Sequence, residues 1–262
     1  MVRDTRQIHI SPAVSEAQEA IQAYVSARTV AVTIGDDNRL DIGSATCVQL
    51  GGRFFLATAA HNLVDGSEIR VFAPKAQARF PVIGRSHPPR NSTDPDVGWL
   101  ELSPGIVQEG RLQFLSAAEL HTDVPHRPLP LLVQGYPAAE ANVVRKLPLR
   151  VELLSMGLGT DWLRTEPNGS LVLEYPPQSP EDTGLELPNP SGVSGGGVWL
   201  VSPFEPQQIW FAESFSLVGI VTAWSNSGKE LFAAPIKPWL ELIASDFPEL
   251  STALAEVRQG AG

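Results

Sequence analysis

From Thr29 onward the chain alternates between short apolar, β-branched or aromatic runs and clusters of Gly, Pro, Asn and Asp. TVAVTIG, SATCVQLGG, RFFLATAA, EIRVFAP, RFPVIG and VGWLEL have strand length, and GDDN at 35–38, GG at 51–52, DG at 65–66 and PPRNSTDP at 88–95 separate them. Runs this short and this often interrupted predict antiparallel strands joined by tight turns, and LGG at 50–52 marks a hairpin. Six such strands with little helix predict a small antiparallel barrel or sandwich. A second set follows: PLLVQGYP, LRVELLSMG, SLVLEY, GVWLV, IWFA, SLVGIVTAW and ELFAAP. Between the sets, residues 104–128 carry few strand signals and two histidines, His121 and His126, and predict a connection between two lobes.

The two ends follow a different period. PAVSEAQEAIQAYVSA after Ser11 predicts a helix: Ser11 is placed to cap it, Pro12 suits its first turn, and Glu16 and Glu19 lie early. Val14, Ala17, Ile21 and Val25 form one apolar face at helical spacing, the face expected to pack on the body. After Pro235, IKPWLELIASDFPELSTALAEV is helical again, with a break predicted at Phe247-Pro248. No repeat of fixed period is present. The coarse prediction is two β lobes in succession between terminal helices.

Composition agrees and removes several function classes. The 262 residues are 43% apolar and 18% charged, with 22 Gly and 23 Pro, which suits a turn-rich β protein with a real core. A net charge of −10 without a basic block disfavours nucleic-acid binding. No apolar run approaches a membrane span, and MVRDTRQIHI at the N-terminus lacks the apolar stretch of a secretory signal. The lone Cys47 allows no intrachain disulfide and, alternating within a strand, reads as a buried filler. The expected location is the cytoplasm. No metal-ligand spacing occurs, and no cofactor is expected.

Candidate chemistry centres on Ser194, in Gly192-Val193-Ser194-Gly195-Gly196 with Gly197 behind it. Glycines permit a tight bend whose N–H groups converge on one spot, where they can hold an oxyanion while the serine attacks a carbonyl. His61 ends FFLATAAH, a strand followed by small residues that leave room for an imidazole to turn toward a cleft. Asp96 opens the strand run DVGWLEL, where a carboxylate needs partners and an imidazole N–H is a suitable one. Asp94 competes for that role from the preceding loop; the strand-adjacent Asp96 is preferred. His9, His87, His121 and His126 fall in arm or loop segments, and Trp199, Trp210 and Trp239 are read as core rather than ligand platforms, with Trp224 the exception.

TAAH, then DPDVGWLEL, then GVSGG, in the order His, Asp, Ser, resemble the chymotrypsin/trypsin-like serine peptidases. QGYP at 134–137, LVGIVTAW at 217–224 and AAPIKPWLELI at 233–243 resemble further parts of that family, and the likeness spans about residues 28–245. The resemblance implies an all-β fold of two antiparallel six-stranded barrels, to which this chain adds an N-terminal helix and a C-terminal helix. The expected division is 1–27 for the arm and helix, 28–115 for the first barrel with His61 and Asp96, and 116–127 for the connection. The second barrel with Ser194 takes 128–235, and the C-terminal helix and tail 236–262. By motif, His61, Asp96 and Ser194 become the catalytic triad, and the N–H groups of Gly192 and Ser194 the oxyanion hole. Thr222, Ala223 and Trp224 fall where the family pairs with an extended substrate, and Pro188 at the base of the specificity pocket.

The departures refine the expectation. Val193 stands where zymogen-activated members carry an aspartate that pairs with a newly cut N-terminus, so activation of that kind is not expected. Pro188 gives no support to a preference for basic residues, and Trp224, where a glycine often lines the pocket, implies a narrowed one. The absence of disulfides resembles bacterial or intracellular-type members. The leading expectation is a cofactor-free serine endopeptidase acting on peptides or proteins, with no nucleic-acid or membrane partner. The alternative is a latent or partner-gated protease-fold protein that serves as a binding or effector module under a regulatory protein.

Overall fold

The computed structural model describes residues 12–35, 40–63, 67–73, 78–86, 94–123, 130–144, 150–153, 155–175, 189–201, 215–225, 227 and 229–257. Helix α1 (Pro12–Ser26) comes first, as the periodicity predicts. Its Val25 is fully buried, whereas the cap position Ser11 and the side chains of Val14 and Ala17 lie outside the described residues.

The first lobe is one antiparallel sheet. Its strands are β1 (Thr29–Gly35), β2 (Leu40–Leu50), β3 (Arg53–Thr58), β4 (Ile69–Ala73), β5 (Ala78–Pro81), β6 (Gly84–Ser86) and β7 (Gly98–Leu102), in the order β5-β4-β1-β2-β3-β7-β6. Gly51 and Gly52 sit at the β2–β3 turn with φ of 55° and 83°, which glycine adopts without a steric penalty, so LGG does mark the hairpin. Val30, Val32, Cys47, Leu56, Val71 and Leu100 fill this lobe.

The connection is more structured than its lack of strand signals suggests. Helix α2 (Pro104–Gly110) starts at Ser103, whose hydroxyl accepts from Ile106 N–H at 3.4 Å, with Pro104 in the first turn. Leu115 and Leu120 then bridge to Val48 and Leu217 and are fully buried.

The second lobe contains β8 (Pro130–Gly135), a two-stranded flap of β9 (Ala141–Val144) and β10 (Arg150–Leu153), then β11 (Met156–Thr165), β12 (Leu171–Glu174), β13 (Gly197–Val201), β14 (Phe215–Ser225) and β15 (Glu230–Pro235). Six of these close into an antiparallel barrel, β11-β12-β15-β14-β13-β8. The run LRVELLSMG splits between β10 and β11, and the predicted strand IWFA lies outside the described residues.

Helix α3 (Ile236–Asp246) follows β15, breaks at Phe247-Pro248 as predicted, and leads to the short α4 (Ser251–Leu254). Its buried Trp239 packs with Trp199, Phe55, Trp99 and Leu217 in a cluster shared by both lobes, and donates through Nε1 to Gly98 O at 3.0 Å. An indole buried with its N–H satisfied adds apolar area without an orphaned donor. The contact also pins the start of β7, two residues after Asp96.

Candidate active site

His61 lies just beyond β3, in a one-turn 3-10 segment over Ala60–Asn62. Ala57, Ala59 and Ala60 are buried, and their small side chains let this turn sink against β7: a Cβ on Gly98 would stand 2.5 Å from Leu63 Cδ1 and 2.8 Å from Ser86 O. Asp96 precedes β7, next to the turn in space, and its backbone carbonyl accepts from Ala60 N–H at 3.3 Å. Its carboxylate takes His61 by two handles. Oδ2 is 2.6 Å from the ring Nδ1, and Oδ1 accepts from the main-chain N–H of His61 at 3.0 Å. A carboxylate can only accept, so Nδ1 carries the proton and Nε2 is left as a base. Asp94 is exposed beside a cleft of about 330 Å³, which is also lined by Pro95, Asn168, Ser170, Ala223 and Pro238.

Ser194 sits on a loop folded by its own main chain. Val193 N–H donates to Pro190 O at 3.0 Å, and Gly196 N–H to Val193 O at 2.8 Å. Gly195 N–H donates to Val221 O at 2.7 Å, and Val221 N–H returns to Gly196 O at 2.8 Å, so β14 holds the loop from one side. Gly192 has φ of 94°, and a Cβ there would be 2.7 Å from both Ala138 N and Tyr136 O. Gly195 has φ of 90° and would place a Cβ 1.9 Å from Ser44 O. Both glycines are required by conformation and by space.

Peptide planarity fixes two further directions. Ser191 O accepts from Ala138 N–H at 2.6 Å, so the N–H of Gly192, trans to it, points the opposite way. Val193 O faces Gly196, so the N–H of Ser194 is turned away from the loop interior. Neither N–H has an acceptor among the described residues, while those of Val193, Gly195 and Gly196 all do. The side chain between them is fully buried: Val193 enters the apolar core of the second barrel beside Gly135.

The Ser194 hydroxyl donates to Thr222 O at 3.4 Å. Thr222 stands at a bulge in β14, half-buried, with Ala223 exposed and Trp224 half-buried against the second-barrel core. Pairing of β14 with β13 ends at Ile220, whereas pairing with β15 continues to Ser225. Among the described residues, 222–224 are therefore paired with a strand along one edge only. Thr222, Ala223 and Trp224 thus lie together beside Ser194; Pro188 lies outside the described residues.

Cys47 is fully buried, and burial pushes its thiol well above the usual range, so it is no rival nucleophile. Two polar side chains at the site escaped the sequence reading. Ser44 in β2 and Asn62 beside His61 both reach the nucleophile loop: Ser44 Oγ donates to Gly192 O at 2.8 Å, and Asn62 Nδ2 to Ser194 O at 2.9 Å.

Two lobes, one a closed six-stranded barrel, with a histidine and an aspartate from the first and a glycine-rich serine loop from the second, define the architecture. This is the trypsin/chymotrypsin fold. No protein-family profile and no curated protein sequence matches the chain. Solved trypsin-fold structures do. A thermostable serine protease, AL20, from an extremophilic microorganism superposes with a TM-score of 0.52 at 14% identity, covering 83% of this chain and 95% of its own. The active form of the Rv3671c protease of M. tuberculosis gives 0.51 at 14% identity, covering 96% and 90%. An inactivated protease paralogue of the scabies mite, S-I1, gives 0.51 at 17% identity, covering 86% and 96%. The trypsin fold therefore carries both active and inactivated members. No helix among the described residues is long and apolar enough to cross a membrane.

Proposed function

We propose that the protein is a serine endopeptidase that hydrolyses peptide bonds through an acyl-enzyme on Ser194. The observation that carries the reading is the double hold of Asp96 on His61, which leaves Nε2 as the base. The Ser194 hydroxyl turns from Thr222 O toward His61 Nε2, which takes its proton as Oγ attacks the scissile carbonyl carbon. Asp96 keeps the tautomer and stabilises the imidazolium. The carbonyl oxygen becomes an oxyanion facing the N–H groups of Gly192 and Ser194. The imidazolium then gives its proton to the leaving nitrogen as the C–N bond breaks. Water, deprotonated by His61, opens the ester and restores Ser194.

An extended substrate adds along the edge of Thr222–Trp224 that faces Ser194, by main-chain hydrogen bonds. Trp224 narrows the pocket for the side chain before the scissile bond. The buried Val193 supports a loop shaped by apolar packing, without a cut N-terminus to hold it.

A second reading is a partner-gated protease-fold protein, favoured by the resting bond from Ser194 Oγ to Thr222 O. One experiment separates the two. A fluorophosphonate probe is expected to label the isolated wild type and to spare Ser194→Ala. Labelling only when a partner is added favours gating, and no labelling of folded protein under either condition removes the peptidase reading.

A further inference from the structure

Ser194 belongs to the second lobe, yet much of what holds its loop comes from the first. Ser44 is completely buried in β2, and each of its polar atoms is engaged. Its N–H donates to Ser194 O at 2.8 Å. Its hydroxyl donates to Gly192 O and accepts from Tyr136 N–H, both at 2.8 Å. Its carbonyl accepts from Thr58 Oγ1 at 2.7 Å. The Asn62 amide, also buried, donates to Ser194 O at 2.9 Å and to Thr58 Oγ1 at 3.1 Å.

The direction of this network is forced. A carbonyl oxygen only accepts, so Asn62 must present its NH2 to Ser194 O. Thr58 has a single hydroxyl proton, which goes to Ser44 O, leaving Thr58 Oγ1 to accept from Asn62. Gly43 makes room for the amide: a Cβ there would stand 2.6 Å from Asn62 Nδ2. The held carbonyls alternate with the presented amides along the loop. Gly192 O and Ser194 O are tied to the first lobe, while the peptides that supply Gly192 N–H and Ser194 N–H lie before each of them.

We infer that Ser44 and Asn62 are positioning residues forming a latch between the lobes, which sets the oxyanion-binding amides and Ser194 against His61; this rests on Ser194 acting as the nucleophile. Asn62 adjoins His61, so a single side chain ties the base's turn to the nucleophile's carbonyl. Without the Ser44 hydroxyl, Gly192 O and Tyr136 N–H both lose that partner, and the peptide between Gly192 and Val193 keeps one of its two ties, the bond from Val193 N–H to Pro190 O.

The test uses the full chain and three variants: Ser44→Ala, Ser44→Thr and Asn62→Ala. Ser44→Ala is expected to lower kcat by about 10²-fold, the scale of losing one oxyanion donor, with KM changed by less than about threefold. Affinity for a peptide aldehyde, whose adduct carries the oxyanion, should fall with kcat. Ser44→Thr, which keeps the hydroxyl, should recover most of the loss. Wild-type kcat in both Ser44→Ala and Asn62→Ala overturns the latch, as does a loss in which kcat and KM move together with no recovery by threonine. If Ser44→Ala does not fold, Asn62→Ala carries the same kcat-against-KM comparison. A crystal structure of the folded alanine variant reads the latch without any turnover. A rotated peptide at Gly192 or Ser194 supports it, and an unmoved loop overturns it. Failure of the wild type to react with fluorophosphonate would instead remove the nucleophile reading.

Discussion

Asp96 grips His61 at the ring and at the main chain together, 2.6 Å from Nδ1 and 3.0 Å from the backbone nitrogen. The second contact matters because it orients the carboxylate without depending on the ring. Rotation of the imidazole would break the first bond and leave the second in place.

Replacing Asp96 by Asn keeps the shape and inverts the hydrogen bond. An amide NH2 facing Nδ1 requires that nitrogen to accept, which puts the proton on Nε2 and removes the base. Asp96→Asn is expected to lower kcat by about 10³–10⁴-fold with little change in Tm. Steady-state kinetics on any cleaved peptide, beside a melting curve, checks both parts.

Gly192 offers a backbone test of the oxyanion site. A Cβ there meets two main-chain atoms at 2.7 Å, and φ of 94° disfavours any L side chain. Gly192→Ala should therefore shift the loop and reduce kcat by about 10²–10³-fold, while the His61, Asp96 and Ser194 side chains remain. Reaction with fluorophosphonate should slow in proportion, measured as a second-order rate. An unchanged rate would remove Gly192 from the proposed hole.

Val193 anchors the serine loop in the second barrel. Its side chain lies in the apolar second-barrel core, so Val193→Asp would bury a carboxylate among Val133, Leu158, Val198 and Val221. A loss of at least about 3 kcal/mol is expected at neutral pH, on the scale of an uncompensated buried charge. Burial raises the folded-state pKa of such a group. The penalty is therefore small below the unfolded value near 4 and grows as pH rises above it. Denaturant melts of the variant at acid and neutral pH test the sign.

Gln22 ties helix α1 to β8, the strand that pairs with Gly197 behind the serine loop. Gln22 Nε2 donates at 2.7 Å to Oε1 of Gln134, which is fully buried in β8 and paired through its main chain with Gly197 and Gly157. Gln134 Nε2 has no partner among the described residues, so its Oε1 bond to the helix anchors the side chain. Gln22→Ala is expected to cost about 1–3 kcal/mol, the scale of leaving a buried acceptor unmet. Comparing Tm and kcat for this variant shows whether the helix acts on stability alone or on turnover as well.

The sequence was most readable where side chains carry the information. β1 occupies Thr29–Gly35, the whole of TVAVTIG, because a β-branched run broken by Ala31 alone ends at a glycine. His61 and Asp96 stood out through motifs at strand ends, and the structure brings them together. β11 was obscured by Gly157 and Gly159: they fall at exposed positions of a strand that buries Met156, Leu158 and Thr160, so the alternation has no polar half to display it. α2 was obscured by Gly105, even though Ser103 and Pro104 spell a helix start. Ser44 and Asn62 left no trace, since they bond to main-chain atoms 148 and 132 residues away, and backbone acceptors are the same under every side chain.

The ties on the Ser194 loop have a consequence in time. Ser44 and Asn62 are made early, the loop later, and Val221, which accepts from Gly195 N–H, later still. The loop cannot take its final form on the ribosome until the chain has grown past that residue. A nascent or truncated chain ending short of β14 would hold His61, Asp96 and Ser194 and still lack part of the frame that sets the serine loop. Under the proposed function, an unfinished copy of the chain would not cut.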